Sequence, residues 1–193
     1  MHISEGILNT PTLIAGWAVS APLCAYALYK VPQKELPKIA LLSALFFVGS
    51  FIHIPFGPTS FHLILSGVVG ALGGGYAILS ISIALLFQAL LFGFGGLGVL
   101  GVNIITLSLP TIVIWHFLKP KITSLKPYQL FLGGALPTLL SLMLLSLILL
   151  LNHTELKYGV WAIFLYNLPL LGIEGLVCVG VVKFILKYMP KAL

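Results

Sequence analysis

Between Lys38 and Lys119 the chain carries no charged side chain. A soluble domain, with roughly 25% of its residues charged, does not leave so long a stretch bare. Over all 193 residues 60% are hydrophobic and only 7% charged. Such a chain must satisfy its own backbone inside hydrocarbon, and a helix does so within a single segment. A spanning helix takes about 20 apolar residues. Breaking the apolar runs at their Gly, Pro and Lys clusters predicts seven spans, at 11–30, 36–53, 60–74, 76–93, 98–118, 128–151 and 160–187. The third, SGVVGALGGG, places Gly70 and Gly74 on a GxxxG face suited to close backbone approach. In the last, Pro169 is expected to interrupt the helix and leave YGVWAIFLY as an interfacial segment with Tyr158 and Trp161. The expected fold is one integral membrane domain over 1–193, an all-α membrane protein built as a bundle of about seven transmembrane helices.

Charge sets the orientation. Ten lysines and four glutamates, with no arginine or aspartate, give +6. Lys30, Lys34 and Lys38 fall between spans one and two, and Lys119, Lys121 and Lys126 between five and six. Lys183, Lys187 and Lys191 end the chain, so with seven spans only Lys157 lies on the opposite side. Lysine-rich loops stay in the cytoplasm, which puts the C-terminus cytoplasmic and the N-terminus outside. Without arginine or interleaved aromatics this basic excess belongs to a lipid bilayer face and marks no nucleic-acid partner. Cys24 and Cys178 lie in apolar runs and read as small hydrophobes. The start, MHISEGILNTPT, lacks the Lys or Arg of a cleavable leader and carries Glu5. The first apolar run is therefore expected to be a retained anchor. Met1-His2 is expected to be the mature N-terminus, since a bulky second residue generally protects the initiator methionine.

On this topology the outer face collects Met1, His2, His53 and His62 from distant segments. The Met1 amine and a deprotonated His2 amide close a five-membered chelate ring. That amide and the near ring nitrogen of His2 close a six-membered one. Three in-plane nitrogens leave one corner of a square open, a field that suits nickel(II) or copper(II). A histidine in second position is equally admissible by chance. His62 is the best fourth corner: Thr59 or Ser60 would N-cap the third span, and the helix dipole would keep an imidazole in its first turn neutral. Its plain alternative is an interfacial histidine bonded to a loop carbonyl. His53 reads as a supporting donor, a transient ligand at the mouth, or the polar end of span two. His116 and His153 read as solvated.

Polar groups within spans are costly and point to function. Glu174, the one acidic residue inside a span, is a candidate for neutralising a passing cation, orienting a ligand from behind, or pairing with a helix. Gln88 and Asn103 are candidates for the same pathway or for interhelical hydrogen bonds. GFGGLG fits GxGxxG at Gly93, Gly95 and Gly98, but a membrane span precedes it and the next acidic residue is Glu155. The glycines are therefore expected to form a tight, buried turn, not a dinucleotide site. With no Walker A or HExxH sequence, any ATP-driven work falls to a partner. A stand-alone metal channel or ion-coupled carrier would need a polar path across the membrane. An intramembrane hydrolase built on Ser60 with His62 or His53 would need a nucleophile motif. Neither feature is evident in the sequence.

Together MHISEGIL, GPTSFHL, LFQALLFGFGGLGVLGVN and LPLLGIEGLV resemble the CbiM/NikM family, from Met1 to the last span. These are the substrate-binding (S) components of energy-coupling-factor nickel or cobalt transporters. The resemblance implies an N-terminus tucked into the protein as a metal ligand. Carried onto this chain, the donors are the Met1 amine, the His2 amide and ring, and His62. Beside these, the reading of the residues themselves keeps His53, Ser60, Glu174, Asn103 and Gln88 as candidates for a supporting shell or the pathway. It implies nickel(II) or cobalt(II) as substrate ion and no resident cofactor. It further implies a transmembrane coupling (T) subunit, cytosolic ATPase (A) subunits, often a small accessory membrane protein, and residence in the plasma membrane. Relatives often have Asn where His53 stands, and His or Asp where Phe94 stands. These departures bear on metal preference more than on metal binding.

Overall fold

The computed structural model describes residues 3–56, 59–152 and 157–189, with the backbone alone described at 54–56, 59–61 and 157. Its helices are α1 (Thr10–Lys30), α2 (Leu36–Gly49), α3 (Ser66–Gly73), α4 (Ala77–Phe92), α5 (Leu100–Leu118), α6 (Pro127–Asn152) and α7 (Lys157–Tyr188). An antiparallel hairpin, β1 (His53–Phe56) and β2 (Thr59–His62), lies between α2 and α3. By length and apolarity five segments of the described residues can cross a membrane: Thr10–Lys30, Ser66–Phe92, Leu100–Ser124, Pro127–Asn152 and Tyr158–Tyr188. The second of these joins α3 to α4 through the 3-10 turn Gly74–Tyr76. The 14 residues of α2 reach only about 21 Å at 1.5 Å per residue, short of a hydrocarbon core of about 30 Å.

Local chemistry fixes the ends. Asn9 caps α1, its Oδ1 accepting the Thr12 N–H at 3.0 Å, and Pro11 occupies the first turn. α4 stops where Gly93 turns left-handed, with φ 67°. Two expectations are corrected. The span drawn over 60–74 begins as a strand, so His62 ends β2 and α3 starts only at Ser66, with no cap from Thr59 or Ser60. HIPF and TSFH are short β-prone runs separated by Gly57-Pro58 alone, a pattern that favours pairing over helix. Pro169 does not interrupt the last helix; α7 runs through it, as α1, α5 and α6 run through Pro22, Pro110 and Pro137. Neighbouring helices and local adjustment satisfy the backbone groups that proline frees in a membrane bundle.

At the centre lies α3, all eight of its residues buried, packed by α2, α4, α5, α6 and α7. Backbones meet most closely at Gly67, where a Cβ would stand 2.5 Å from Gly134 Cα. Gly134 in turn faces the Glu174 carbonyl, 2.5 Å from where its own Cβ would be. Small residues let membrane helices gain dispersion contacts at short range. Gly70, from the expected GxxxG pair, instead receives the side chains of Trp115 and Thr111, and Gly74 turns at φ 55° beside Lys119. Trp115 fills the resulting space and donates Nε1–H to Gly133 O at 3.0 Å.

Candidate metal centre

Hairpin register sets His53 directly opposite His62, so both side chains stand on one face of the hairpin. Their ring centroids are 5.9 Å apart. With Ser50 and Phe94 they border a cavity of about 130 Å³. His53 Nδ1 lies 2.9 Å from the Phe51 carbonyl. A carbonyl only accepts, so in this contact Nδ1 is the donor. Burial pushes the His62 imidazole down to about 3, with the neighbouring His53 adding to the effect. His62 is therefore neutral at physiological pH, the form in which a ring nitrogen binds metal. That neutrality was expected from a helix N-terminus; it arises from burial, because α3 begins four residues beyond His62.

The second component is the segment leading from residue 3 into α1. Ile3 is 2% exposed. Its N–H donates to Asn103 Oδ1 at 2.9 Å, and Asn103 Nδ2 donates to its carbonyl at 3.0 Å. One buried side-chain amide thus satisfies both backbone groups of a residue that the hydrocarbon would otherwise strand. Glu5 N–H donates to Gly95 O at 2.7 Å, and Glu5 Oε2 accepts from Gly98 N–H at 3.2 Å. Asn9 N–H and Thr12 Oγ1–H both donate to Asn152 Oδ1, at 3.0 and 3.2 Å. Ile3 and Leu8 pack with Val99, Val102 and Leu145. The segment is fastened to α5, to the end of α6 and to the 93–98 turn, whose Phe94 forms part of the cavity wall.

That turn needs its glycines, with φ 67°, 81° and 125° at Gly93, Gly95 and Gly96. A Cβ at Gly96 or Gly98 would run into the Glu5 carboxylate. The tight turn is as expected, but it is half-exposed, not buried.

The remaining sequence candidates divide. Glu174, 2% exposed on α7, accepts from Ile64 N–H at 2.6 Å and from Leu65 N–H with both oxygens at 3.0 Å. These N–H groups lie just ahead of α3, and no salt bridge to Glu174 occurs among the described residues. Gln88 is fully buried in α4, and neither polar atom of its side chain has a hydrogen-bond partner among the described residues. Ser60 lies in β2. Met1, His2 and His153 lie outside the described residues. His116 is exposed in the last turn of α5, its ring against Phe117. The described residues assemble no group of three His, Cys, Asp or Glu side chains. Cys24 and Cys178 are unlinked.

A cavity bounded by two imidazoles, inside a bundle of apolar helices, fits a cation carrier. Over residues 2–192 the chain matches the family model of CbiM, the cobalt uptake substrate-specific transmembrane region. It belongs to the CbiM family. This CbiM-family chain is a multi-pass protein of the cell membrane, and its relatives are named for transport. It is 32% identical over 200 residues to a Haemophilus influenzae protein described as a candidate metal transport protein, covering 100% of this chain and 97% of that one. It is also 32% identical over 114 residues to the fused nickel transport protein NikMN of Rhodobacter capsulatus, covering 56% of this chain and 33% of that longer protein. A crystal structure of a transition metal transporter superposes with a TM-score of 0.84 at 25% identity, covering 97% of this chain and 93% of that one.

Within this CbiM fold three contributors were not legible as such. Ser50 borders the cavity, while Glu5 and Asn152 fasten the N-terminal segment. Their signal was polarity at the edges of apolar runs, which marks a residue without naming its partner.

Proposed function

We propose that this chain binds a divalent transition metal with high affinity, nickel(II) first and cobalt(II) second, as the membrane S component of an energy-coupling-factor transporter. The site is a nitrogen square formed by the Met1 amine, the His2 amide and ring, and His62. His53 and Phe94 line its mouth. The observation that supports this reading is the double clamp of Asn103 on Ile3, which buries the start of a segment also bonded to the turn whose Phe94 walls the cavity. A neutral His62 completes the set without a proton to displace. Planar nitrogen fields favour nickel(II), and copper(II) would bind more tightly still, so selection in the cell rests partly on availability.

The lysine distribution supports an outer N-terminus and a cytoplasmic C-terminus. Seven passes remain the proposed count, with α2 and α3 as short passes. A coupling subunit, cytosolic ATPases and a small accessory membrane protein complete the machine; a fused relative fits a protein that works joined to others. The test is metal analysis of protein with an unextended N-terminus, followed by its visible spectrum. A yellow, diamagnetic nickel complex is expected. An octahedral, paramagnetic one refutes the square. Uptake into vesicles that lack the ATPases would favour a stand-alone carrier.

A further inference from the structure

Three residues beyond His62, Leu65 has φ 60° and ψ 21°. It is the one non-glycine residue with positive φ among the described residues. The left-handed conformation is unfavourable for an L side chain and persists only where the surroundings over-determine it. Here the determinant is visible. Glu174 holds the Leu65 N–H with both carboxylate oxygens and the Ile64 N–H with one. On the hairpin side, Leu63 N–H donates to Ile52 O at 3.3 Å. The Leu65 side chain fills the space that Gly49 leaves open at the end of α2. At its far end α3 is held by Lys119, whose Nζ donates to Leu72 O at 2.8 Å. Since α3 is also wedged against Gly134, the His62 backbone is referenced to the bundle through the short link 63–65.

We infer that Glu174 is a positioning residue for His62. It holds Leu65 in the strained conformation that aims the end of β2, and the His62 imidazole with it, at the cavity. This extends the proposed four-nitrogen site and rests on His62 being a ligand. A carboxylate buried in a span is expensive to keep. Placed here, it is compensated by the backbone N–H groups of the two residues ahead of α3, and it sets the geometry of a strand it does not touch.

The experiment compares nickel titrations, followed by the visible band, for wild type, Glu174→Gln, Glu174→Ala and Glu174→Ala/Leu65→Gly, each confirmed monodisperse in detergent. Gln keeps an acceptor oxygen and is expected to stay within about threefold of wild type with the same band. Ala is expected to weaken binding at least about tenfold and move the band toward that of His62→Ala. Adding Leu65→Gly should recover most of the loss, because glycine adopts positive φ without strain. In metal-free protein the His62 ring resonances should move in Glu174→Ala and not in Glu174→Gln. Unmoved His62 resonances in folded Glu174→Ala, or no recovery in the double variant, overturn the inference. A wild type without a planar nickel band instead refutes the four-nitrogen site, and the metal-free resonances still decide the positioning.

Discussion

Acidification separates His62 from every other donor in the site. Compare nickel affinity for wild type and His62→Ala from pH 7 to pH 5, and take the ratio. Protons on the amine, on the His2 ring and on the metal-competing amide affect both proteins and cancel, so the ratio reports His62 alone. With its imidazole lowered to about 3, His62 stays about 99% neutral at pH 5, and the ratio should be flat. An ordinary imidazole, titrating near 6.5, would go from about 76% neutral at pH 7 to about 3% at pH 5, and the ratio would fall about 25-fold, about 2 kcal/mol. Chelator competition or calorimetry at pH 7, 6 and 5 measures it. A fall of more than about tenfold would refute the claim that burial holds His62 neutral. The same shift predicts the metal-free stability. A base whose folded value lies below its unfolded one leaves the unfolded chain binding more protons, so stability is full above about 6.5 and is lost as pH falls toward 3, at up to about 1.4 kcal/mol per unit. Thermal unfolding of wild type against His62→Ala should show the acid slope shrinking in the variant.

Three further outcomes follow from the geometry. Any extension or acetyl group on Met1 should abolish tight nickel binding while a C-terminal tag leaves it unchanged, as metal analysis of the purified forms will show. Asn103→Ala leaves the Ile3 N–H and carbonyl unsatisfied in a buried place, which costs about 1–3 kcal/mol; nickel affinity should drop about tenfold or more, with the bundle still folded by circular dichroism. His116→Ala, at the exposed end of α5, should bind nickel like wild type, and an equal loss there and at His62 would mean binding to scattered surface histidines.

The long apolar helices were readable because length and hydropathy decide them: 98–118 and 128–151 lie within two residues of α5 and α6. The hairpin was not. Most of HIPF fell in the loop between spans two and three and most of TSFH at the start of span three, and only pairing in register reveals them as strands. Pro169 misled for a related reason, since its penalty depends on what surrounds the helix and the sequence does not state that. His62 borders the cavity, but the cause of its neutrality was misread, a dipole in place of burial. Asn103 and Glu174 were recognisable as misplaced polarity. That they serve the backbones of Ile3 and of Ile64 and Leu65 depends on tertiary partners with no sequence trace.

The clamp on Ile3 has a consequence for how the protein is made. Asn103 is synthesised 100 residues after Ile3, and Asn152, which holds Asn9, follows Asn9 by 143. The segment that holds Ile3 and Asn9 is thus made long before the side chains that fasten it. Ile3 can be clamped only once Asn103 on α5 has been made, and Asn9 and Thr12 are fastened only when Asn152 follows at the end of α6. The segment is therefore seated only after α5 and α6 have been made, and metal capture at the proposed site would wait for the assembled carrier.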